Sequence, residues 1–204
     1  MKKLAFANKT DIGRVRSENQ DALGKFPADD VDLSSPKGQL FVIADGMGGH
    51  AGGREASRLA VDVIGKSYYS SHATVVESLK QAFNDANQAI FDYSVNNPAF
   101  HGMGTTCIAL VLQHDAACVA HIGDSRLYRI SRSKIEQLTN DHSKVAEMVR
   151  RGIITAHEAR DHPERSMLYR AMGVQAEFQF DLIVEGNQIN LYGMILVIIV
   201  LIIL

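Results

Sequence analysis

The chain lacks a broad excess of either charge sign, and it has only two cysteines. Its 204 residues hold 21 Lys+Arg against 23 Asp+Glu, a net charge of −2. Nucleic-acid binding needs a basic field to meet phosphates, so nucleic acid is excluded as the main partner. Cys107 and Cys118 each sit inside an apolar run. That placement reads as two buried thiols in a reducing compartment and excludes a disulfide scaffold. Lys3 is followed by only four residues before Asn8. No signal-peptide core fits there, so a cytoplasmic location is expected. No internal repeat and no low-complexity linker divides the chain. The eight histidines include no His-x-x-x-His pair, and no Cys-x-x-Cys exists, so a zinc signature is missing. Ser125 lacks the G-x-S-x-G frame of a hydrolase elbow. What remains is an ordinary globular composition, 46% hydrophobic and 22% charged, in a chain long enough to bury a sizeable core.

One stretch departs from this composition. Charge runs evenly to Glu185 and then stops, and residues 194–204 read MILVIIVLIIL. A membrane-spanning helix needs about 17–25 apolar residues. Three readings stay open: the start of a buried strand, a frameshifted end, or a crude membrane anchor. The chain divides accordingly into residues 1–185 and an uncharged tail over 186–204.

Residues 4–8 and 39–44 read as strands, separated by a polar loop over 27–38. Ala56, Leu59, Ala60, Val63 and Ile64 recur at helical spacing, and Val76, Leu79, Phe83, Ala86 and Ile90 repeat it over a second helix at 74–94. Residues 105–112 and 116–122 are apolar on both faces, which predicts strands buried on both faces. Residues 127–130 are expected to continue that meander. Short helices are expected over 144–151 and 155–160, and a last strand over 178–184. The order predicts an α+β domain, with two helices packed on a sheet.

Three constellations carry chemistry. Residues 10–21 (TDIGRVRSENQD) hold Arg14 and Arg16, whose guanidinium forks suit phosphate oxygens, and Asp21. Residues 44–53 (ADGMGGHAGG) put Asp45 at the end of a buried strand beside five glycines in eight residues. A strand-end carboxylate is a good metal ligand, and the glycine next to it lets a backbone carbonyl turn toward the same ion. So many glycines exclude a core device. The GxGxxG/A pattern of a dinucleotide site also fits this loop, but Asp45 would stand beside a pyrophosphate, and the expected second parallel strand is replaced by helix. Residues 121–126 (HIGDSR) place Asp124 at another strand end, and Asp45 and Asp124 could converge on Mg²⁺ or Mn²⁺. His50, His121, His142 and His162 read as loop or polar-edge residues.

Taken together, six stretches in order resemble the metal-dependent Ser/Thr protein phosphatases of the PPM, or type 2C, family in their bacterial form. They are the segments at 10–21, 41–53, 102–112 (GMGTTCIALVL), 120–130 (AHIGDSRLYRI), 138–143 (LTNDHS) and 152–173 (GIITAHEARDHPERSMLYRAMG). The resemblance implies a four-layer αββα sandwich with two metals at one end of the sheets, incomplete at its C-terminus. It implies that Asp45 bridges two Mn²⁺ or Mg²⁺ ions, that the carbonyl of Gly46 binds one, and that Asp21 acts through metal-held water. Arg16 would clamp the substrate phosphate, and Asp124 would serve a third, weaker metal. His50 and His142 would lie near the entrance. The implied reaction is hydrolysis of phosphoserine and phosphothreonine in proteins, and the implied partners are phosphoproteins and a cognate Ser/Thr kinase. Two divalent ions a few ångström apart suit in-line displacement at phosphorus.

One departure stands out. The family's later Asp-Gly motif should fall near Met194 and Ile195, where only apolar residues stand, and no Asp-Asn motif follows. A metal losing those carboxylates should bind weakly, so little activity and association through the tail are expected. The alternatives are an inactive relative that binds phosphoproteins through Arg16, a dinucleotide-binding domain, and a membrane-tethered regulator.

Overall fold

The computed structural model describes residues 4–14, 17–131, 134–185 and 195–199. Five strands form the larger sheet in the order β1 (Asp21–Phe26), β2 (Gln39–Met47), β4 (Cys107–Gln113), β5 (Ala116–Ile122), β8 (Asp181–Glu185), all antiparallel. The two-residue β3 (Gly104–Thr105) pairs with the far end of β2. A second sheet has the order β7 (Ile135–Gln137), β6 (Arg126–Ile130), β9 (Ile195–Ile199). The helices α1 (Gly49–Ser70) and α2 (Val75–Asn96) cover one face of the larger sheet, and the second sheet lies toward the other. The short α3 (Lys144–Arg150) and α4 (Ala156–Arg160) follow the second sheet.

Alternation of side chains splits the core in two. Leu40, Val42 and Ala44 of β2 and Cys107, Ala109 and Val111 of β4 pack with Ala56, Ala60 and Ile64 of α1 and Leu79, Phe83 and Ile90 of α2. Phe41, Ile108, Leu110, Leu112 and Val119 point the other way and meet Leu127 of β6. The central strands are thus buried on both faces, as their sequence predicts. Both thiols are buried and unbridged. Desolvation pushes the Cys118 thiol up to about 11. The helix at 74–94 is found as α2, whose N-cap Thr74 hydroxyl accepts from the Glu77 amide at 3.3 Å.

Two expectations need correction, and one strand carried no signal in the sequence. Residues 4–8 form no strand. Phe6 instead stacks on Phe41 at 5.2 Å, and Leu4 joins the inter-sheet core. The edge strand is β1, whose mixed sequence DALGKF hides it: Gly24 has no room for a side chain, since a Cβ there would lie 2.7 Å from Val61 of α1. Residues 127–130 do not continue the meander. Gly123, at φ +105°, turns the chain out of the larger sheet, so that β6 starts the second one and β8 takes the place beside β5.

No helix among the described residues is long and apolar enough to cross a membrane. Of the hydrophobic tail, residues 195–199 pair antiparallel with β6, while 186–194 and 200–204 lie outside the described residues.

Candidate metal centre

Period-two alternation sends Asp45 to the inter-sheet face, in line with Phe41, while Leu40, Val42 and Ala44 face the helices. Asp21 is its direct cross-strand partner on β1. Side chains so placed stand about 5 Å apart at Cβ. An oxygen-only pair of this kind is matched by a hard divalent cation. Asp21 is held in place: its Oδ2 accepts from the Thr10 hydroxyl at 2.9 Å, and Asn19 Nδ2 donates to that same hydroxyl at 2.7 Å. Asn19 Oδ1 also accepts from the Asp21 amide at 2.9 Å.

The glycines after Asp45 are packing devices, which corrects the sequence expectation. A Cβ on Gly46 would lie 1.9 Å from the Gly53 carbonyl oxygen, and one on Gly48, at φ +120°, would lie 2.7 Å from Met103 Cα. The end of β2 can therefore touch the first turns of α1 backbone to backbone. Helix α1 begins at Gly49, seven residues before the first residue of the helical spacing at Ala56, so half the glycine-rich segment is helical. The dinucleotide pattern fails here: β2 has antiparallel neighbours on both sides, and α1 leads into α2 rather than into a parallel strand.

Asp124 is drawn to the same end through the 105–106 segment. The Thr106 amide donates to the Asp45 carbonyl at 2.9 Å, and the Thr105 hydroxyl does so at 2.9 Å. The Thr106 and Ser125 hydroxyls share a bond of 2.7 Å. Burial, with help from Asp141, holds the Asp124 carboxyl above the usual aspartate range. Asp141 is itself gripped by Arg126 through Nε at 2.9 and 3.0 Å and through Nη2 at 2.5 Å.

Beneath this turn lie His121, His142 and Asp181, whose ligand atoms fall within 4.8 Å of one another. The chemistry of the trio does not suit a metal. His142 Nδ1 accepts from the Gly123 amide at 3.1 Å, so the ring proton sits on Nε2, 3.2 Å from Asp181 Oδ2. A cation on Nε2 would have to displace that proton while Nδ1 still faces an N–H. His142 and Asp181 form a hydrogen-bonded pair instead, joined to the Gly123 amide. His121, fully buried, has no partner at either ring nitrogen among the described residues, and desolvation, aided by His142, pushes it down to about 4.

The sequence-derived residues thus divide. Asp21, Asp45, Gly46 and Asp124 come to one end of the larger sheet. Arg16 lies outside the described residues, as does the side chain of His50, on the first turn of α1. His121 and His142 are not at polar edges but buried, 0% and 2% exposed, with their rings packed on each other at 4.8 Å between centroids. Asp181 and Thr106 were not singled out by sequence reasoning. Asp181 opens a strand rather than ending one, and Thr106 sits inside an apolar run, so neither has a local signal. Strand β9 adds no oxygen-bearing side chain, its residues being Ile-Leu-Val-Ile-Ile.

Comparison with known proteins supplies the class. The protein phosphatase 2C family model matches residues 14–188, and the chain belongs to that family. It is 34% identical over 185 residues to the serine/threonine phosphatase stp of Listeria innocua, covering 88% of this chain and 71% of that one. A putative protein phosphatase 2C-type of Streptococcus pyogenes is 37% identical over 179 residues, covering 85% and 70%. Among solved structures, the serine/threonine phosphatase Stp1 from Staphylococcus aureus superposes with a TM-score of 0.77 at 33% identity, covering 87% of this chain and 69% of its own. The catalytic domain of the phosphatase PstP, in complex with two manganese ions, does so at 0.72 and 30%, covering 87% and 70%.

Proposed function

We propose that this chain hydrolyses phosphoserine and phosphothreonine in proteins, with Mn²⁺ or Mg²⁺ held at the Asp21–Asp45 end of the larger sheet. The observation that carries the reading is the cross-strand pairing of Asp21 with Asp45 on the inter-sheet face. When bound there, divalent cations supply a water acidic enough to attack near neutral pH and charge to stabilise the displacement at phosphorus. Asp45 and the Gly46 carbonyl are the proposed direct ligands. Asp21, fixed by Thr10 and Asn19, acts through water. Asp124 belongs to a further, weaker position at the 123–125 turn. Arg16 is assigned to the substrate phosphate, which its planar fork fits in bidentate fashion. His50 is placed at the entrance.

The substrate comes from a Ser/Thr kinase reaction, the step that must supply a phosphorylated hydroxyl. The buried, unbridged Cys107 and Cys118 suit a cytoplasmic setting. Because β9 contributes no carboxylate, the proposed donors are few and the Mn²⁺ requirement should be high. The test is hydrolysis of p-nitrophenyl phosphate and of a phosphothreonine peptide across Mn²⁺ concentrations, beside Asp45→Asn. Mn²⁺-dependent turnover that falls more than about 100-fold on substitution supports the reading. Equal turnover by the two proteins refutes it.

A further inference from the structure

We propose that His142 is a positioning residue for Asp124, acting through both polar groups of the Gly123 backbone. This rests on the phosphatase reading above, in which Asp124 faces a divalent cation.

The geometry is a double clamp. The His142 amide donates to the Gly123 carbonyl at 2.8 Å, and the Gly123 amide donates to His142 Nδ1 at 3.1 Å. Gly123 sits in the left-handed region at φ +105°, and a Cβ there would lie 2.5 Å from Thr106 Cβ. On the other side of Asp124, the Ser125 hydroxyl is bonded to Thr106. Asp124 is thus held between two anchored neighbours, which sets where its carboxylate can reach.

The clamp works with one tautomer only. Nδ1 must be bare to accept from Gly123, so Nε2 must carry the hydrogen, and Asp181 Oδ2 accepts it at 3.2 Å. The other Asp181 oxygen faces Arg170 Nη1 at 3.4 Å. Arg170 belongs to the segment at 167–172 that is stitched to His142, whose carbonyl accepts from the Tyr169 amide at 3.0 Å. Asp181 therefore fixes the imidazole tautomer, in the manner of a carboxylate that orients a histidine. A histidine that merely filled space would need neither bond.

The test separates the two ring nitrogens. Asn places its Oδ1 where His142 has Nδ1, whereas Gln places its polar head at the Nε2 position. Mn²⁺ binding to the full chain is followed by electron paramagnetic resonance of free Mn²⁺, with melting curves for each variant. His142→Gln should weaken the class of Mn²⁺ site lost in Asp124→Asn by about 10-fold or more, and His142→Asn by no more than about 2-fold. Equal effects of Asn and Gln, or an unchanged Mn²⁺ titration in a folded His142→Gln protein, overturn the proposal. Imidazole ¹⁵N NMR of the wild-type chain reads the tautomer without any substitution: Nδ1 should be unprotonated, and a protonated Nδ1 overturns the proposal. Asp45→Asn separates the two readings. Loss of Mn²⁺ binding there with an insensitive His142→Gln leaves the phosphatase assignment standing and removes the positioning role. A wild-type chain that binds no Mn²⁺ ends both.

Discussion

Lowering the pH from 7 to 5 should destabilise the folded chain through His121. Its imidazole is fully buried on β5, next to the His142 ring at 4.8 Å between centroids, and it has no hydrogen-bond partner among the described residues. Desolvation, and then the neighbouring His142, lower it from 6.5 to about 4. The unfolded chain therefore takes up a proton at a pH where the folded chain does not, so stability falls as the pH drops through the window from 6.5 to 4. Between pH 7 and pH 5 the difference amounts to about 2 kcal/mol, at 1.36 kcal/mol per pH unit. For a chain of this size that corresponds to a Tm lower by about 4–8 °C. Burial shifts Asp124 upward, which acts in the opposite sense at acid pH, so the measurement is the difference between the wild-type chain and His121→Met. Met fills similar space and does not titrate. Urea midpoints at pH 7, 6 and 5 should fall in the wild type and stay flatter by about 2 kcal/mol in the variant. Parallel pH profiles for the two proteins would refute the assignment of the acid sensitivity to His121.

Three further substitutions probe the frame of the site. Gly46→Ala puts a methyl group 1.9 Å from the Gly53 carbonyl oxygen, backbone against backbone, so it should cost about 1–3 kcal/mol and weaken Mn²⁺ binding, read by urea unfolding and by Mn²⁺ titration. Arg126→Met leaves Asp141, whose side chain is 11% exposed, without its guanidinium beside Asp124. A loss of about 1–3 kcal/mol is expected, and an unchanged urea midpoint would count against a supporting role for the pair. Asn87, 1% exposed on α2, accepts from the Gly173 amide at 2.7 Å and donates to the Gln175 and Ala176 carbonyls. Asn87→Ala should cost about 2 kcal/mol with an unchanged m-value, since it strands buried backbone groups.

Several features were legible in the chain before any coordinates. The apolar runs at 107–112 and 116–122 announced strands buried on both faces, because uninterrupted hydrophobicity has no other home in a sheet. Helical spacing announced both long helices. Asp45 and Asp124 showed themselves as acids at the ends of such runs. These are local signals, carried by neighbours in sequence. Tertiary structure decided the rest. That Asp21 faces Asp45 follows from a register between β1 and β2, and β1 itself is written in a sequence too mixed to declare a strand. The crowding that requires Gly46 arises from a helix turn seven residues on. That His121 and His142 are buried ring against ring is a tertiary outcome, as is the turn at Gly123 that takes β6 out of its predicted meander. His142 meets Asp181 across 39 residues, and no periodicity records that meeting. Sequence by itself determined which segments bury their faces and which strand ends bear carboxylates. Which of those carboxylates lie side by side, and which histidine bonds the turn before Asp124, was decided by strand register and sheet packing, since contacts between distant residues leave no trace in local pattern.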